Sequence, residues 1–136
     1  MSLVIDASIT LAWCFDDEAT EAKDAIAERV QSHGAIVPQH WRLEVANGLL
    51  QGERRKRLTL AQSAASIELV SSLPVDVDRE TGERAWRETL ALARSEQLTA
   101  YDAAYLELAL RRGLPLATLD KELAAAAKKA GVPLVL

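Results

Sequence analysis

One cysteine, Cys14, is all the thiol chemistry this chain possesses. It cannot form an internal disulfide, and with only His33 and His40 besides, no Cys/His spacing suits structural zinc. A reducing, intracellular setting, the cytoplasm, is therefore expected. Long apolar runs are missing too: none approaches the roughly 20 residues needed to cross a bilayer. The opening Met1-Ser2-Leu3-Val4-Ile5-Asp6 has no basic stretch ahead of an apolar one. Neither a membrane span nor a cleaved signal peptide is expected. Basic charge is also short, 16 Lys and Arg against 20 Asp and Glu, for a net charge of −4. That balance argues against nucleic-acid binding driven by overall charge. A local site is not excluded, because cations held by carboxylates invert the field that a phosphate would feel.

Of the 136 residues, 49% are hydrophobic and 26% charged, the balance of a soluble globular protein. No repeat, low-complexity tract or long linker divides the chain, so one domain spanning 1–136 is expected. Leu3-Val4-Ile5 is a β-branched run that predicts a strand, with a helix starting at Ala7. Helical spacing continues from about Glu18 to Ser32, and Ala35-Ile36-Val37 restarts a strand that Pro38 ends. A helix over 39–51 places Trp41, Val45 and Leu49 on one stripe, and Thr59 can cap another that runs to about Ser72. Val75-Asp76-Val77 reads as a strand. Helices are predicted over 79–96 and 100–112, the latter closed by Gly113. Leu116-Ala117-Thr118, a helix over 121–130 and a last strand over 132–136 complete the alternation. Strands alternating with helices predict an α/β fold in three layers, a parallel sheet covered on both faces.

Four acids stand out. In a parallel sheet, residues just past the strand ends collect along one edge, where such folds bind ligands. Asp6 directly follows its strand, and Asp120 lies two positions beyond Thr118. Glu44 shares a helical face with Trp41, Val45 and Gly48, and Asp102 shares one with Tyr105, Leu106 and Ala109. Carboxylates on apolar faces need cations, hydrogen bonds or protonation. Simpler roles exist for each. Asp6 and Asp120 can cap the helices they precede, and Asp102 follows Thr99 at capping-box spacing. Glu44, inside its helix, can cap nothing; for it the plain alternative is a buried ion pair with an arginine. Taken together, hard oxygen donors suit Mg²⁺ or Mn²⁺ better than zinc and can support in-line phosphodiester displacement by metal-activated water.

The chain resembles the PIN-domain ribonucleases, and among them the VapC-like toxins of toxin–antitoxin pairs. The resemblance rests on Val4-Ile5-Asp6-Ala7-Ser8, on Pro38 with Trp41-Arg42-Leu43-Glu44-Val45-Ala46-Asn47, on Leu98-Thr99-Ala100-Tyr101-Asp102-Ala103-Ala104-Tyr105, and on Leu116-Ala117-Thr118-Leu119-Asp120. It implies that Asp6, Glu44, Asp102 and Asp120 form an acidic, catalytic metal site for Mg²⁺ or Mn²⁺, with Ser8 and Thr118 orienting ligands. It further implies endonucleolytic cleavage of RNA, a cognate VapB-like antitoxin, a sheet of about five parallel strands and a homodimer.

Arg54, Arg55, Lys56 and Arg57 make the densest basic run, fit either to contact RNA phosphates or to complete a solvated helix end. Arg111-Arg112 and Lys128-Lys129 fit the helix-end reading. Trp13, Trp41 and Trp86 are expected to be core or interface residues more often than base-stacking platforms. His33, His40 and Cys14 are expected to be structural. Two other functions fit less of the pattern. One is a housekeeping RNA-processing or DNA-directed nuclease on the same fold. The other is a non-enzymatic cation-binding signalling module, as in receiver domains, for which Asp16-Asp17 lies too far past the first strand.

Overall fold

A computed structural model describes residues 2–15 and 21–135. The earliest part of the helix expected from Glu18, the pair Asp16-Asp17, and Leu136 lie outside the described residues. Four parallel strands, β1 (Leu3–Ile5), β2 (Ala35–Val37), β3 (Val75–Val77) and β4 (Leu116–Ala117), form one sheet in the order β3-β2-β1-β4. Val4 pairs with Ile36 on one side and Leu116 on the other, and Ile36 pairs with Asp76. The interior strand β1 is wholly buried, as its uninterrupted apolar sequence requires of a strand covered on both faces. The edge strand β3 alternates instead and turns Asp76 to solvent, a charge that discourages pairing with a further strand.

Among the described residues, the expected fifth strand is reduced to a bridge. Around Leu134 the tail makes a single parallel bridge to Leu116. Two backbone hydrogen bonds hold it, Leu116 N–H to the Pro133 carbonyl and Val135 N–H to the Leu116 carbonyl. Pro133 has no amide hydrogen, which limits how far a ladder can extend through it.

The helices follow the expected order. They are α1 (Ala7–Cys14), α2 (Glu21–His33), α3 (Trp41–Arg54), α4 (Leu60–Ser71), α5 (Thr81–Arg84), α6 (Leu90–Glu96), α7 (Ala100–Arg112) and α8 (Lys121–Lys129). The single helix expected over 79–96 is divided, because a π-helical stretch, Ala85–Thr89, separates α5 from α6. Thr59 caps α4 in a complete capping box with Gln62. Gly113 ends α7 in the left-handed conformation, φ +64°, which a residue without Cβ adopts at little cost.

Close approach of α1 and α3 depends on Gly48 and Gly52. A Cβ at Gly48 would run into the side chain of Leu11, and one at Gly52 would stand 2.8 Å from the Phe15 ring. Trp41 anchors the same pair of helices: its ring is buried and Nε1–H donates to Thr10 Oγ1 at 3.0 Å. The start of α3, with Glu44, is thereby held beside the end of β1.

A largely buried charge cluster ties α7 to the residues after β3. Arg111, near the end of α7, makes two hydrogen bonds to Asp78, 2.8 and 3.1 Å, two to Glu107, 2.9 and 3.0 Å, and one to Glu80, 3.2 Å. Read from sequence as a solvated helix end, Arg111 is instead a bidentate clamp between α7 and the residues after β3.

Candidate active site

Asp6 occupies the turn from β1 into α1. Its N–H reaches the Ala117 carbonyl at 3.2 Å, extending the β1–β4 pairing by one step. As N-cap of α1, its Oδ1 accepts from Ile9 N–H at 3.1 Å and from Ser8 Oγ at 2.6 Å. Oδ2 accepts from the Thr118 hydroxyl. The side chain is almost wholly buried. Burial pushes its carboxyl above the ordinary range, opposed by the bonds from Ser8, Thr118 and Ile9 and reinforced by the charge of Asp120.

Ser8 and Thr118, expected to orient ligands, form a hydroxyl layer under this edge. Ser8 Oγ also accepts from Leu119 N–H at 2.9 Å, and Thr118 Oγ1 accepts from Asp120 N–H at 3.0 Å. Asp120 caps α8 through Oδ1, which accepts from Leu123 N–H at 2.9 Å. For Asp6 and Asp120, capping and site membership are thus compatible: the helix N-terminus takes one oxygen and fixes the carboxylate at the strand edge.

Glu44 arrives from α3 and Asp102 from the first turn of α7. Thr99 Oγ1 accepts the Asp102 N–H at 3.1 Å, so the residue lies at the capping position its spacing suggested. Its side chain nevertheless belongs to the acidic cleft. Burial, then the charges of Asp120, Glu44 and Asp6, push its carboxyl up to about 6, with only Thr99 opposing. The plain alternative for Glu44, an arginine partner, is not what it has. Tyr105 OH donates to Oε1 at 2.6 Å, and His40 Nε2 lies 3.4 Å from the same oxygen.

All four acids, with Ser8, Asn47, Gly48, Gln51 and Tyr105, line one cleft of about 340 Å³. Tyr105 and His40 were not singled out for the site from sequence. Tyr105 sits on an apolar stripe and reads as packing, and no signal marked its hydroxyl. Trp41 is core, and Trp13 is half-buried with Nε1–H donating to the Lys23 carbonyl at 2.8 Å. Trp86 is 89% exposed and belongs to neither core nor cleft. Cys14 is buried, with its thiol raised by burial and its Sγ 3.4 Å from the Thr10 carbonyl, an inert packed residue. Arg54, Arg55, Lys56 and Arg57 lie exposed just past the cleft-lining part of α3, with Arg57 stacked 4.3 Å from the Phe15 ring centroid.

The donor set fits a hard divalent cation. Oxygen atoms alone face the cleft from the four acids, and the mutual repulsion that adds to burial in raising Asp102 is what a cation would relieve. Among the described residues no three His, Cys, Asp or Glu side chains stand gathered to hold an ion as placed. An ion bound partly through water, as Mg²⁺ prefers, matches such spacing better than a fully protein-ligated one. Among the described residues no helix is long and apolar enough to cross a membrane.

Comparison with known proteins agrees with this architecture. The family model described as PIN domain matches residues 3–129. Ribonuclease VapC3 of Pyrobaculum aerophilum is 31% identical over 125 residues, which cover 91% of this chain and 93% of that protein. A crystal structure from Pyrobaculum aerophilum superposes with a TM-score of 0.68 at 27% identity, covering 99% of this chain and 92% of the other. VapC20 of Mycobacterium tuberculosis, described as a sarcin-ricin loop cleaving toxin, shares the fold with a TM-score of 0.59. There the identity is 20%, and the match covers 91% of this chain and 94% of that one.

Proposed function

The chain belongs to the PIN-domain family, and from that premise we propose that it is a divalent-metal-dependent endoribonuclease, the toxin of a toxin–antitoxin pair. One observation carries the reading: Asp6, Glu44, Asp102 and Asp120, spread over most of the sequence, line a single cleft at the carboxyl edge of the sheet. Asp6, Glu44, Asp102 and Asp120 would hold Mg²⁺ or Mn²⁺. A cation bound there supplies activated water and charge stabilisation for in-line attack on a phosphodiester.

The chain's own residues prepare for that chemistry. Ser8 and Thr118 fix both oxygens of Asp6, Tyr105 fixes Glu44, and the start of α8 fixes Asp120. Such preset geometry avoids the cost of orienting ligands at the moment of reaction. Along α3, Glu44, Asn47, Gly48 and Gln51 line the cleft and lead to Arg54, Arg55, Lys56 and Arg57. The basic run is thus suited to hold RNA phosphates that continue beyond the cleft, where backbone contacts position a strand without reading its sequence.

The 31% identity to a VapC ribonuclease supports the toxin role over a housekeeping nuclease. With it come a VapB-like antitoxin, a homodimer, a single domain over 1–136 and action in the cytoplasm as parts of the same proposal. Purified protein is expected to cut RNA with Mg²⁺ or Mn²⁺ and to lose activity with EDTA or in Asp6→Ala. Cleavage undiminished by EDTA and by Asp6→Ala would refute the mechanism. Induction of the chain without its antitoxin is expected to arrest growth, and unimpaired growth alongside active RNA cleavage would favour the housekeeping role.

A further inference from the structure

Asp6 and Asp120 are held by helix N-termini, and Asp6 also by the Ser8–Thr118 hydroxyls, but Glu44 is held by neither. What holds it comes from α7 and from the turn before α3. Tyr105 is 1% exposed, so its ring has no freedom to turn away, and its OH donates to Glu44 Oε1 at 2.6 Å. His40 packs edge-on against the Tyr105 ring, 5.1 Å between centroids. Its Nε2 lies 3.0 Å from the Tyr101 carbonyl oxygen. A carbonyl can only accept, so Nε2 carries the hydrogen in this contact. That same N–H stands 3.4 Å from Glu44 Oε1. With that hydrogen directed to the Tyr101 carbonyl, the Tyr105 hydroxyl is the hydrogen-bond donor on Oε1, His40 packs beside it, and among the described residues no hydrogen bond engages the other oxygen.

We propose that Tyr105 is a positioning residue for the metal site, occupying Oε1 of Glu44, with His40 beside it, so that Oε2 alone is offered to a divalent cation. The inference rests on the metal-dependent reading above and extends it to cation choice. A carboxylate restricted to one oxygen suits the short, octahedral coordination of Mg²⁺ or Mn²⁺. Bidentate carboxylates, by contrast, are characteristic of Ca²⁺ sites, which take more ligands at longer distances. Tyr105 thereby selects against Ca²⁺ as well as orienting Glu44. Partners of this kind behind a ligand commonly change metal affinity by tenfold or more when removed.

Mn²⁺ and Ca²⁺ binding to wild-type protein and Tyr105→Phe, measured by electron paramagnetic resonance titration of Mn²⁺ and competition with Ca²⁺, test this. Phenylalanine keeps the buried ring and removes only the donor. Mn²⁺ affinity is expected to fall about tenfold, with Ca²⁺ affinity unchanged or improved, so that the preference for Mn²⁺ narrows. In a Glu44→Gln background, Tyr105→Phe is expected to change neither ion's binding further. Equal weakening of both ions, or undiminished Mn²⁺ preference, would overturn the assignment even with the metal site intact. Wild-type protein that binds no Mn²⁺ at all would overturn the metal-dependent reading itself, and the role of Tyr105 with it. His40→Gln, which leaves Tyr105 in place, is expected to shift the preference in the same direction by a smaller factor.

Discussion

The hydroxyl of Thr118 donates to Oδ2 of Asp6, joining the end of β4 to the end of β1 across 112 residues of chain. Thr118 Oγ1 in turn accepts the Asp120 N–H, so one buried threonine fixes two of the four acids of the cleft. Parallel pairing of β1 with β4 brings this about, since residues following adjacent parallel strands emerge side by side.

Thr118→Val preserves shape and removes both bonds. Leaving the Asp6 carboxylate short of a buried donor is expected to cost about 2 kcal/mol of stability. Urea unfolding monitored by circular dichroism measures it. A variant as stable as wild type would mean that Ser8 and Ile9 suffice to hold Asp6.

Asp102→Asn is expected to stabilise the metal-free protein while removing its response to Mg²⁺. Burial and three neighbouring carboxylates raise the Asp102 carboxyl to about 6. A raised acid opposes folding at any pH above its ordinary range, because the folded chain is penalised for ionising it. Relief on the order of 1 kcal/mol is expected at pH 7.5, after allowing for solvent screening of a half-buried group. Thermal unfolding in EDTA and in Mg²⁺ checks both halves. A lowered midpoint in EDTA would contradict the repulsion.

At Asp78 the sign reverses. Burial alone would raise this carboxyl, but hydrogen bonds and charge from Arg111, with Thr81, bring it below its ordinary value. Its stabilisation is therefore complete above the unfolded carboxyl's pKa of about 3.9 and is lost as pH falls through the lower folded value. Asp78→Asn is expected to cost about 2 kcal/mol at pH 7. Its deficit relative to wild type should shrink steadily below pH 4 in thermal unfolding. A deficit independent of pH would show that the ion pair contributes nothing.

Trp86 supplies the contrasting case. With 89% of its surface exposed, Trp86→Ala is expected to change stability by no more than about 0.5 kcal/mol and to leave RNA cleavage unaltered. A loss of cleavage with unchanged stability would make it a substrate contact.

The comparison of Asp78 with Asp6 shows what sequence reveals and what it withholds. Both directly follow buried or half-buried strands, and the strand-end rule marks them equally. Only folding separates them: Asp6 meets hydroxyls and other acids, whereas Asp78 meets a guanidinium. Asp6 and Asp120 were legible because parallel strands dictate where their successors lie. Glu44 and Asp102 were legible because charges on apolar faces are unusual. The strands β1, β2 and β3 were legible as short β-branched runs bounded by turn residues.

Other features depend on contacts that spacing does not encode. Tyr105 on an apolar stripe looks like packing until its hydroxyl is seen against Glu44, 61 residues away. Arg111 carried a partial signal in Glu107 one turn earlier, but its bond to Asp78 spans 33 residues. The π-helical stretch at Ala85–Thr89 interrupts a sequence whose periodicity suits one continuous helix. That the described part of the expected fifth strand is only a bridge was more legible, since Pro133 stands within the expected run.

Crystals of the wild-type protein soaked in Mn²⁺ give the most direct view of the central claim, through an anomalous difference map collected at the manganese edge. A peak in the cleft bounded by Asp6, Glu44, Asp102 and Asp120, absent from Asp102→Ala crystals treated alike, is the predicted result. Well-ordered carboxylates with no peak between them at saturating Mn²⁺, or manganese bound only elsewhere on the surface, would contradict it.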